Sequence, residues 1–383
     1  MNIKHIPAVL TACLTAIFLL ICMSSNVFAF PYKGLDIKVG GTVSEMYDDN
    51  ITRTNSSDNK KGDFTTRLAL NLGVKYEGKT RTLDFTGRIN RDIFTTNHNF
   101  NNTSEKLELN FQNELSKYDI IRLKNTFNHA YEQSSFDDTF EGAEGRYAYY
   151  KNQFNLDYTR DISKQFTVIA RYANEINELS REGSKDSYLN TLGFEADYIY
   201  SADTVFFMLY DFSKRTYDET RDISIHTVAA GIRQYITKQL YFDGTGGLDF
   251  IISLEDTKDT GEYIQGSLTD EIDENTALSL SFTKRKQTIS YREDFFDSWR
   301  ISGLFKRQLL KRLGCSLSGF YGKGEYKSLN LTDSLRGANI AFSYELRKNL
   351  RGDLTYTYTD KDSTDKALGY TKNVISSGLT IEF

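Results

Sequence analysis

The sequence predicts an all-β protein, a transmembrane antiparallel up-and-down β-barrel of about 18 strands. Three observations lead to this prediction. The chain ends in an alternating segment closed by a Phe carboxylate, it contains no proline between Tyr32 and Phe383, and charged residues recur on one face of half of the predicted strands. Together they are typical of a closed sheet that separates lipid from water.

The C-terminal segment alternates between apolar and polar side chains from Asn373 onward. Period-two alternation indicates a strand with one apolar and one polar face. A core strand of a soluble β-protein would also alternate, but the closing strand of an outer-membrane barrel ends this way because it faces lipid outside and water inside. The ending resembles the C-terminal signal read by the barrel-insertion machinery, which is therefore an expected partner. The apolar face contains Ile375, Leu379, Ile381 and Phe383, and the polar face Ser376, Gly378, Thr380 and Glu382.

The N-terminus predicts a secretory signal peptide over residues 1–29. Lys4 precedes an apolar run from Ala8 to Met23, and Val27–Ala29 supplies small or β-branched residues for signal peptidase. The apolar run is too short, and too close to the cleavage site, for a retained helical span. We therefore expect Sec-type export in a Gram-negative cell, cleavage near Ala29 and one mature barrel domain, residues 30–383.

The composition of the full chain favours a large hydrogen-bonded sheet. Export would remove Cys13 and Cys22 and leave Cys315 without an intramolecular disulfide partner. Proline is absent after Pro31, as expected for a closed ladder in which almost every backbone N–H donates. The 26 Phe and 25 Tyr residues are of types enriched in strands and at membrane interfaces. The net charge of −5 argues against nucleic acid as a partner.

Alternation and turn residues define 18 predicted strands, with short turns after even-numbered strands and longer loops after odd-numbered ones. Both chain ends then lie on the periplasmic side. Sixteen strands is the alternative, if Glu262–Thr269 and a neighbour prove to be loop. The predicted strands are Leu35–Met46, Phe64–Tyr76, Arg81–Phe94, Lys106–Leu115, Asp119–Tyr131, Arg146–Tyr158, Gln165–Ile176, Asp186–Tyr200, Thr204–Tyr217, Ser224–Tyr235, Leu240–Leu254, Glu262–Thr269, Thr276–Tyr291, Ser298–Leu309, Leu313–Tyr326, Leu335–Leu346, Leu350–Asp360 and Tyr370–Phe383.

The parity of each strand predicts which side chains face lipid and which face the lumen. So many charges on one sheet face cannot form a dry core, but they can line a water-filled lumen. The lipid-facing set includes Leu68, Leu70, Leu72, Val74, Tyr76, Leu83, Phe85, Ile89, Leu107, Leu109, Phe111, Leu192, Phe194, Ala196, Tyr198, Leu354, Tyr356 and Tyr358. The predicted lumen-lining residues are Arg67, Lys75, Asp84, Arg88, Glu108, Arg122, Lys124, Asp157, Arg171, Glu195, Asp197, Arg233, Asp243 and Asp249.

Tyrosines bunch at the ends of predicted strands, where outer-membrane barrels place an aromatic girdle. Outer-membrane lipid and lipopolysaccharide are accordingly expected partners. The girdle residues are Tyr76, Tyr158, Tyr200, Tyr291 and Tyr344.

No motif predicts a cofactor or a metal. Gly73–Thr80 has the spelling of a phosphate-binding loop, but that loop must precede a helix, and here another strand follows at Arg81. Asp256–Gly261 is similar to a calcium loop, except that Lys258 stands at a ligand position and Ser267 where the closing Glu belongs. The histidines of the mature chain lie too far apart for zinc spacing. They are His98, His129 and His226.

Catalysis is not expected either. No Gly-x-Ser-x-Gly elbow is present. Two acidic loop clusters, Asp48–Asp49 and Asp137–Asp138 with Glu141, could supply a carboxylate dyad, but no histidine is close to either in sequence. We interpret Asp48–Asn50 as a strand end followed by a turn.

The segment Tyr47–Ile51, reading Tyr-Asp-Asp-Asn-Ile, ends the first predicted strand and is followed by a polar loop and regular hairpins up to the terminal Phe. In this the chain resembles a family of outer-membrane β-barrel porins that often accompany exosortase or exopolysaccharide secretion systems. The resemblance implies an outer-membrane conduit, with a secreted polysaccharide as a candidate solute and polysaccharide-export components as candidate partners. It carries over no catalytic or binding residue.

The sequence thus favours a passive pore for hydrophilic solutes. Because the predicted lumen mixes both signs of charge, strong anion selectivity is not expected. A non-conducting structural barrel, plugged by loops or crossing salt bridges, is the alternative, and an outer-membrane barrel enzyme is the third.

Overall fold

A computed structural model of the chain describes residues 34–55, 59–131, 146–181, 183–218, 222–253, 258–326 and 329–383. The predicted signal peptide and the acidic cluster of Asp137, Asp138 and Glu141 lie outside these residues. The described helical residues form two short 3₁₀ turns, His98–Phe100 and Lys366–Leu368. Within the described ranges, no helix has the length and apolar character needed to cross a membrane.

The prediction of 18 strands is confirmed. The strands are β1 Leu35–Asp48, β2 Asp63–Glu77, β3 Arg81–Phe94, β4 Asn102–Glu114, β5 Asp119–Ala130, β6 Tyr149–Asp161, β7 Phe166–Leu179, β8 Ser187–Ile199, β9 Thr204–Tyr217, β10 Ile223–Tyr235, β11 Leu240–Ser253, β12 Lys258–Asp273, β13 Thr276–Thr288, β14 Phe295–Leu310, β15 Leu313–Tyr326, β16 Leu331–Arg347, β17 Leu350–Ser363 and β18 Tyr370–Glu382. The sixteen-strand alternative is wrong, because β12 is a 16-residue strand where a short one was predicted.

The sheet is antiparallel throughout and closes on itself. Each strand pairs with the next, and β1 pairs with β18 from Gly40–Glu382 to Asp48–Val374. Closure removes the free edges that an open sheet would present. With strands about 4.8 Å apart and tilted by about 40°, a cylinder of this size is about 35 Å across between backbones. Such an interior is too wide for wall side chains alone to fill.

Short turns join β strands at one end of the barrel, hereafter the short-turn end, and several of them share one local signal. Each begins with Ser or Thr, whose hydroxyl accepts the backbone N–H two residues later. This hydrogen bond mimics a backbone turn and fixes a tight reversal without glycine. The turns begin at Ser116, Ser163, Ser201 and Thr237. The Gly73–Thr80 segment completes β2 and leads into β3 rather than into a helix. Its tight turn is closed by a hydrogen bond from the Gly78 N–H to the Arg81 carbonyl at 2.8 Å.

Contacts between strands that are not neighbours identify the inner face. Arg215 of β9 hydrogen-bonds Thr288 of β13 at 2.8 Å, although three strands separate them on the wall. Side chains can meet in this way only across the interior. The register from Arg215 then assigns every other strand position to the inner or the outer face, because successive side chains alternate.

The outer face carries a continuous apolar band. All residues predicted to face lipid lie on it, and many are widely exposed, such as Leu70 at 68%. Toward the opposite end, hereafter the long-loop end, outward positions become polar. Ion pairs stand there between neighbouring strands, for example Lys284–Glu262 at 2.5 Å and Arg336–Asp360 at 3.0 Å. This polar collar marks where the strands leave the apolar band, whose expected height is about 25 Å.

Candidate functional site: the lumen and an inward-folded hairpin

The interior of the barrel is the candidate functional site. The register places every predicted lumen-lining residue on the same inner face as Arg215. These are Arg67, Lys75, Asp84, Arg88, Glu108, Arg122, Lys124, Asp157, Arg171, Glu195, Asp197, Arg233, Asp243 and Asp249. Most of them belong to one of two groups, which differ in exposure and in what they can do.

One group is accessible and lies on β2 to β5. Lys75, Asp84, Arg88, Arg122 and Lys124 are all exposed on the inner face. Charges held in water keep a channel hydrated and can interact with a passing solute. Both signs are present, so this part of the wall is polar without forming a field of one sign.

The other group lies on β7 to β11, is fully or partly buried, and is paired. Arg233 reaches Glu195 at 2.5 Å, Asp197 at 2.9 Å and Asp243 at 3.3 Å, while Arg171 contacts Glu195 from the other side. Only 3% of Glu195 is exposed. Each of these side chains has a partner of opposite charge, and the network therefore stiffens this part of the wall.

A third part of the inner wall, on β15 to β18 and β1, was not singled out by the sequence. Its mid-strand residues carry hydroxyl or amide groups instead of charges, and some pair across strands, as Thr42–Thr380 at 3.0 Å and Asn339–Thr357 at 2.8 Å. This hydroxyl sector is hydrophilic and uncharged. It comprises Ser316, Ser318, Asn339, Ser343, Thr355, Thr357, Ser376, Thr380, Thr42 and Ser44.

Near the long-loop end, one hairpin leaves the wall. The pairing of β12 with β13 stops at Ile264–Lys284, although β12 continues to Lys258. β13 and β14 remain paired to Thr288–Phe295. The end of this hairpin, residues 285–296 and hereafter the hairpin tip, has therefore separated from β12 as one unit.

The hairpin tip folds into the lumen and binds the inner wall at β8 and β9. A tip that projected outward into solvent could not reach these strands. The hydrogen bonds are Arg215 Nε to Thr288 Oγ1 at 2.8 Å, Tyr217 Oη to the Ile289 carbonyl at 2.7 Å, Ser187 Oγ to the Ser290 carbonyl at 2.5 Å, and Lys185 N to the Tyr291 carbonyl at 2.9 Å.

Apolar packing holds the hairpin tip on two sides. Ile289 and Phe296 form a buried cluster with inward-facing residues of β15 and β16, and Phe295 packs against a second cluster on β9 to β11. The tip therefore narrows the lumen between these walls. The first cluster adds Phe320, Tyr326 and Leu335, and the second contains Tyr217, Ile223, Ile225 and Ile251.

Two predictions are corrected here. Tyr291 does not belong to the outer aromatic girdle but packs against the first interior cluster. Strand β13 ends at Thr288 and not at Tyr291. The physical reason is the same for both: burial of Ile289 and Phe296 draws this part of the chain inward.

Two buried cations fix the hairpin tip, and neither was predicted as a site residue. Arg215 is 2% exposed and also contacts Glu175 at 3.1 Å. Lys286 is 2% exposed, pairs with Asp259 and donates its backbone N–H to Asp249 at 3.1 Å. The parity of β9 could have identified Arg215 as inward-facing. No sequence rule identifies Lys286, because alternation along β13 places it on the outer face.

The segment Asp48–Asn50 has a clear structural role, which the sequence left open: it ties the seam between β1 and β18. Asp48 pairs with Lys372 at 2.7 Å, and both side chains are about 5% exposed. Asp49 accepts the backbone and side-chain N–H groups of Asn373 at 2.7 and 2.8 Å. The Asn50 amide donates to the Thr371 carbonyl at 2.9 Å. We call these contacts the seam latch.

The seam latch also engages Asp48 and Asp49, one of the two acidic clusters considered for catalysis. Asp48 is held by Lys372, and Asp49 by Asn373 and Lys60. Among the residues that the structure describes, no group of His, Cys, Asp and Glu side chains is arranged to hold a metal ion.

Comparison with known proteins supports the porin-like architecture. Residues 300–383 match the model of a family described as putative beta-barrel porin 2. The predicted resemblance to β-barrel porins is thereby confirmed over the part of the chain from β14 to β18, whereas Tyr47–Ile51 lies outside the matched residues. No curated protein sequence matches the chain.

Solved structures share the fold at low sequence identity. A BenF-like porin from Pseudomonas fluorescens Pf-5 aligns with a TM-score of 0.51 and 11% identity, over 91% of this chain and 99% of the porin. OpdK from Pseudomonas aeruginosa, solved with vanillate, aligns with a TM-score of 0.50 and 9% identity, over 91% of this chain and 99% of OpdK. At these identities the likeness concerns the barrel and not its solute.

Proposed function

We propose that the protein is an outer-membrane pore for hydrophilic solutes, narrowed near its long-loop end by the hairpin tip. The observation that carries this proposal is the contrast between the two faces of the sheet. The outer face is an apolar band, while the inner face is lined by accessible charges and by the hydroxyl sector. An inner face of this kind is stable in contact with water and unstable as a dry core.

The same contrast supports the proposed location. An apolar band around a closed barrel suits a bilayer, since each described strand pairs with both neighbours along the apolar band. We propose export through the signal peptide, insertion through the strand ending at Phe383, and contact of the polar collar with lipopolysaccharide headgroups. The matched family and the BenF-like structure are described as porins, in keeping with transport and not catalysis.

We propose secreted exopolysaccharide as the leading candidate solute. Uncharged hydroxyl and amide groups can exchange hydrogen bonds with a polyhydroxylated chain, and accessible charges of both signs keep water beside it. The resemblance to porins that accompany polysaccharide secretion supports the same choice and suggests polysaccharide-export components as partners.

Single-channel conductance of the refolded mature protein in a planar bilayer tests the proposal. Neutral oligosaccharides, acidic oligosaccharides and vanillate, the compound with which OpdK was solved, serve as blockers. Discrete conductance steps that an oligosaccharide class blocks would support a saccharide pore. Block by vanillate alone would support the pore but would make a small aromatic acid, and not a saccharide, the candidate solute. A folded protein without conductance would contradict the pore.

The hairpin tip favours a second candidate function, a non-conducting structural barrel. Its hydrogen bonds and two apolar clusters could close the lumen completely. The same bilayer measurement decides between the two, because a permanently plugged barrel stays silent at all voltages and in all variants of the tip.

A further inference from the structure

We infer that the hairpin tip is a gate with two binding positions: the position in the lumen seen here, and a position in the wall against β12. The inference rests on the proposed pore function, because a gate has a role only if the barrel conducts. It adds to that function a defined open state with a specific strand register.

The first observation is a strand edge that β13 leaves. Residues 260–263 of β12 pair with β11 on one side, from Phe250–Thr260 to Gly247–Tyr263. On the other side, the pairing with β13 ends at Ile264–Lys284, and no other described strand pairs with β12 there. A strand edge of this kind is a template for another strand.

The second observation is that the hairpin tip has the length and register to fill this edge. Continuing the pairing beyond Ile264–Lys284 sets four further pairs opposite one another without a shift or a bulge. They are Tyr263–Arg285, Glu262–Lys286, Gly261–Gln287 and Thr260–Thr288. Residues 285–288 are already in strand conformation, so they could join the wall with little change in their own backbone.

The third observation concerns the side chains that would be exchanged. Arg285 already lies over the Tyr263 ring at 5.5 Å, so the first pair is nearly formed. In the wall, parity would move Lys286 from its buried position beside Asp259 to the outer collar, opposite Glu262. Glu262 is exposed there and already pairs with Lys284. Lys286 would therefore exchange one carboxylate partner for another.

Gly261 fits both positions. In the structure seen here, the Lys286 side chain crosses the place that a Cβ at Gly261 would occupy. A larger residue would disturb the lumen position, whereas a strand in the wall accepts most side chains. The two positions also differ in what stabilises them: apolar burial of Ile289 and Phe296 in the lumen, and backbone hydrogen bonds in the wall.

Two engineered disulfides test the gate, each in a Cys315→Ser background so that the native thiol cannot interfere. S187C with S290C would fix the tip in the lumen, where the Ser187 hydroxyl contacts the Ser290 carbonyl. E262C with K286C would fix it in the wall. T260C with T288C is a second wall pair that keeps Lys286 intact. The single-cysteine variants are the controls, and far-UV circular dichroism in lipid vesicles checks that each variant is folded.

Cross-linking is measured by mass spectrometry, and conductance is measured in planar bilayers before and after reduction. We expect both kinds of disulfide to form. The lumen lock should give small conductance steps that rise several-fold on reduction, and a wall lock should give the large steps without reduction.

Three results would count against the gate in distinguishable ways. If neither wall pair cross-links under conditions that oxidise the lumen pair, the wall position does not exist. If both locks conduct equally, the tip moves without gating and the pore itself is retained. If every folded variant is silent in both redox states, the proposed pore function fails, and the gate fails with it.

Discussion

Two boundaries between neighbouring strands of the barrel wall differ at the long-loop end: one stays paired and the other separates. At the seam, β1 and β18 belong to opposite ends of the chain, yet they stay paired to Asp48–Val374. At the other boundary, β12 and β13 are joined by a tight turn, yet they separate after Ile264–Lys284. Closeness in sequence therefore does not decide where the wall stays closed.

Side-chain contacts explain the difference. At the seam, polar groups of the latch bind directly across the strand pair, so separation would break the buried ion pair between Asp48 and Lys372. At the β12–β13 boundary, the nearby polar and apolar groups find partners across the lumen, on β8, β9 and β16. The contrast indicates that side-chain contacts decide the position of a strand end. Where these contacts compete with backbone hydrogen bonds to the neighbouring strand, the backbone hydrogen bonds are lost.

The largest expected effect comes from breaking the seam latch. Asp48→Ala leaves the buried ammonium of Lys372 without its carboxylate, which should cost about 3–5 kcal/mol in the free energy of unfolding. Urea titration of the protein in lipid vesicles measures this loss. The matched control is Asp362→Ala, which breaks the exposed pair with Lys366 at the same end of the barrel and should have no measurable effect. Equal losses in both variants would show that the latch does not hold the seam.

The next prediction tests which side chains face lipid and which face the lumen. The comparison of the seam with the β12–β13 boundary depends on this assignment. Leu70→Arg places a charge in the apolar band of the outer face and should cost about 2–4 kcal/mol at mid-strand. Asp84→Asn changes an exposed inner residue, so it should leave the unfolding free energy intact and alter the cation-to-anion permeability ratio. Urea unfolding and reversal potentials measure the two results. The assignment is wrong if both variants behave alike.

A smaller effect is expected where the hairpin tip is attached. Arg215→Met removes the hydrogen bonds to Thr288 and Ser187 and the ion pair with Glu175, which keeps its other ion pair with Lys151. The substitution should lower the free energy of unfolding by about 1–3 kcal/mol. Because the tip is then held less firmly, single-channel conductance should rise. Arg122→Met, an exposed inner arginine on β5, is the control and should change selectivity without enlarging the steps. Unchanged steps in Arg215→Met would mean that Arg215 is not needed to keep the tip inside.

Much of the fold could be predicted because alternation is a local signal. Strand number, the two faces and the inward position of residues such as Arg67 and Asp249 all follow from period two, with one residue deciding the face of the next. Closure of the barrel likewise leaves few alternative strand orders, since all strands must pair. The strands of the wall and their two faces could therefore be predicted from the sequence.

The departures from the wall could not be predicted in this way. Alternation continued β13 to Tyr291 and placed Lys286 outside, because nothing within the strand shows that Asp249 and Asp259 lie ready to receive it. The seam latch escaped for the same reason: Asp49 reads as a turn residue, and its partner Asn373 is 324 positions away. Both features depend on contacts that exist only once the barrel has closed.

The smallest expected effect concerns the pH dependence of the latch. Burial of the Asp49 carboxylate favours its neutral form, but hydrogen bonds from Asn373 and the charge of Lys60 outweigh this and lower the pKa of Asp49 below its usual 3.8. A carboxylate with a lower pKa in the folded state stabilises that state at neutral pH, and its contribution disappears as pH falls below 3.8 through the folded-state value. Unfolding free energies of the native protein and of Asp49→Asn should therefore differ at neutral pH and converge on acidification. A difference that stays constant across this range would show that the charge of Asp49 does not contribute to the seam, which would then depend on the buried pair of Asp48 and Lys372 alone.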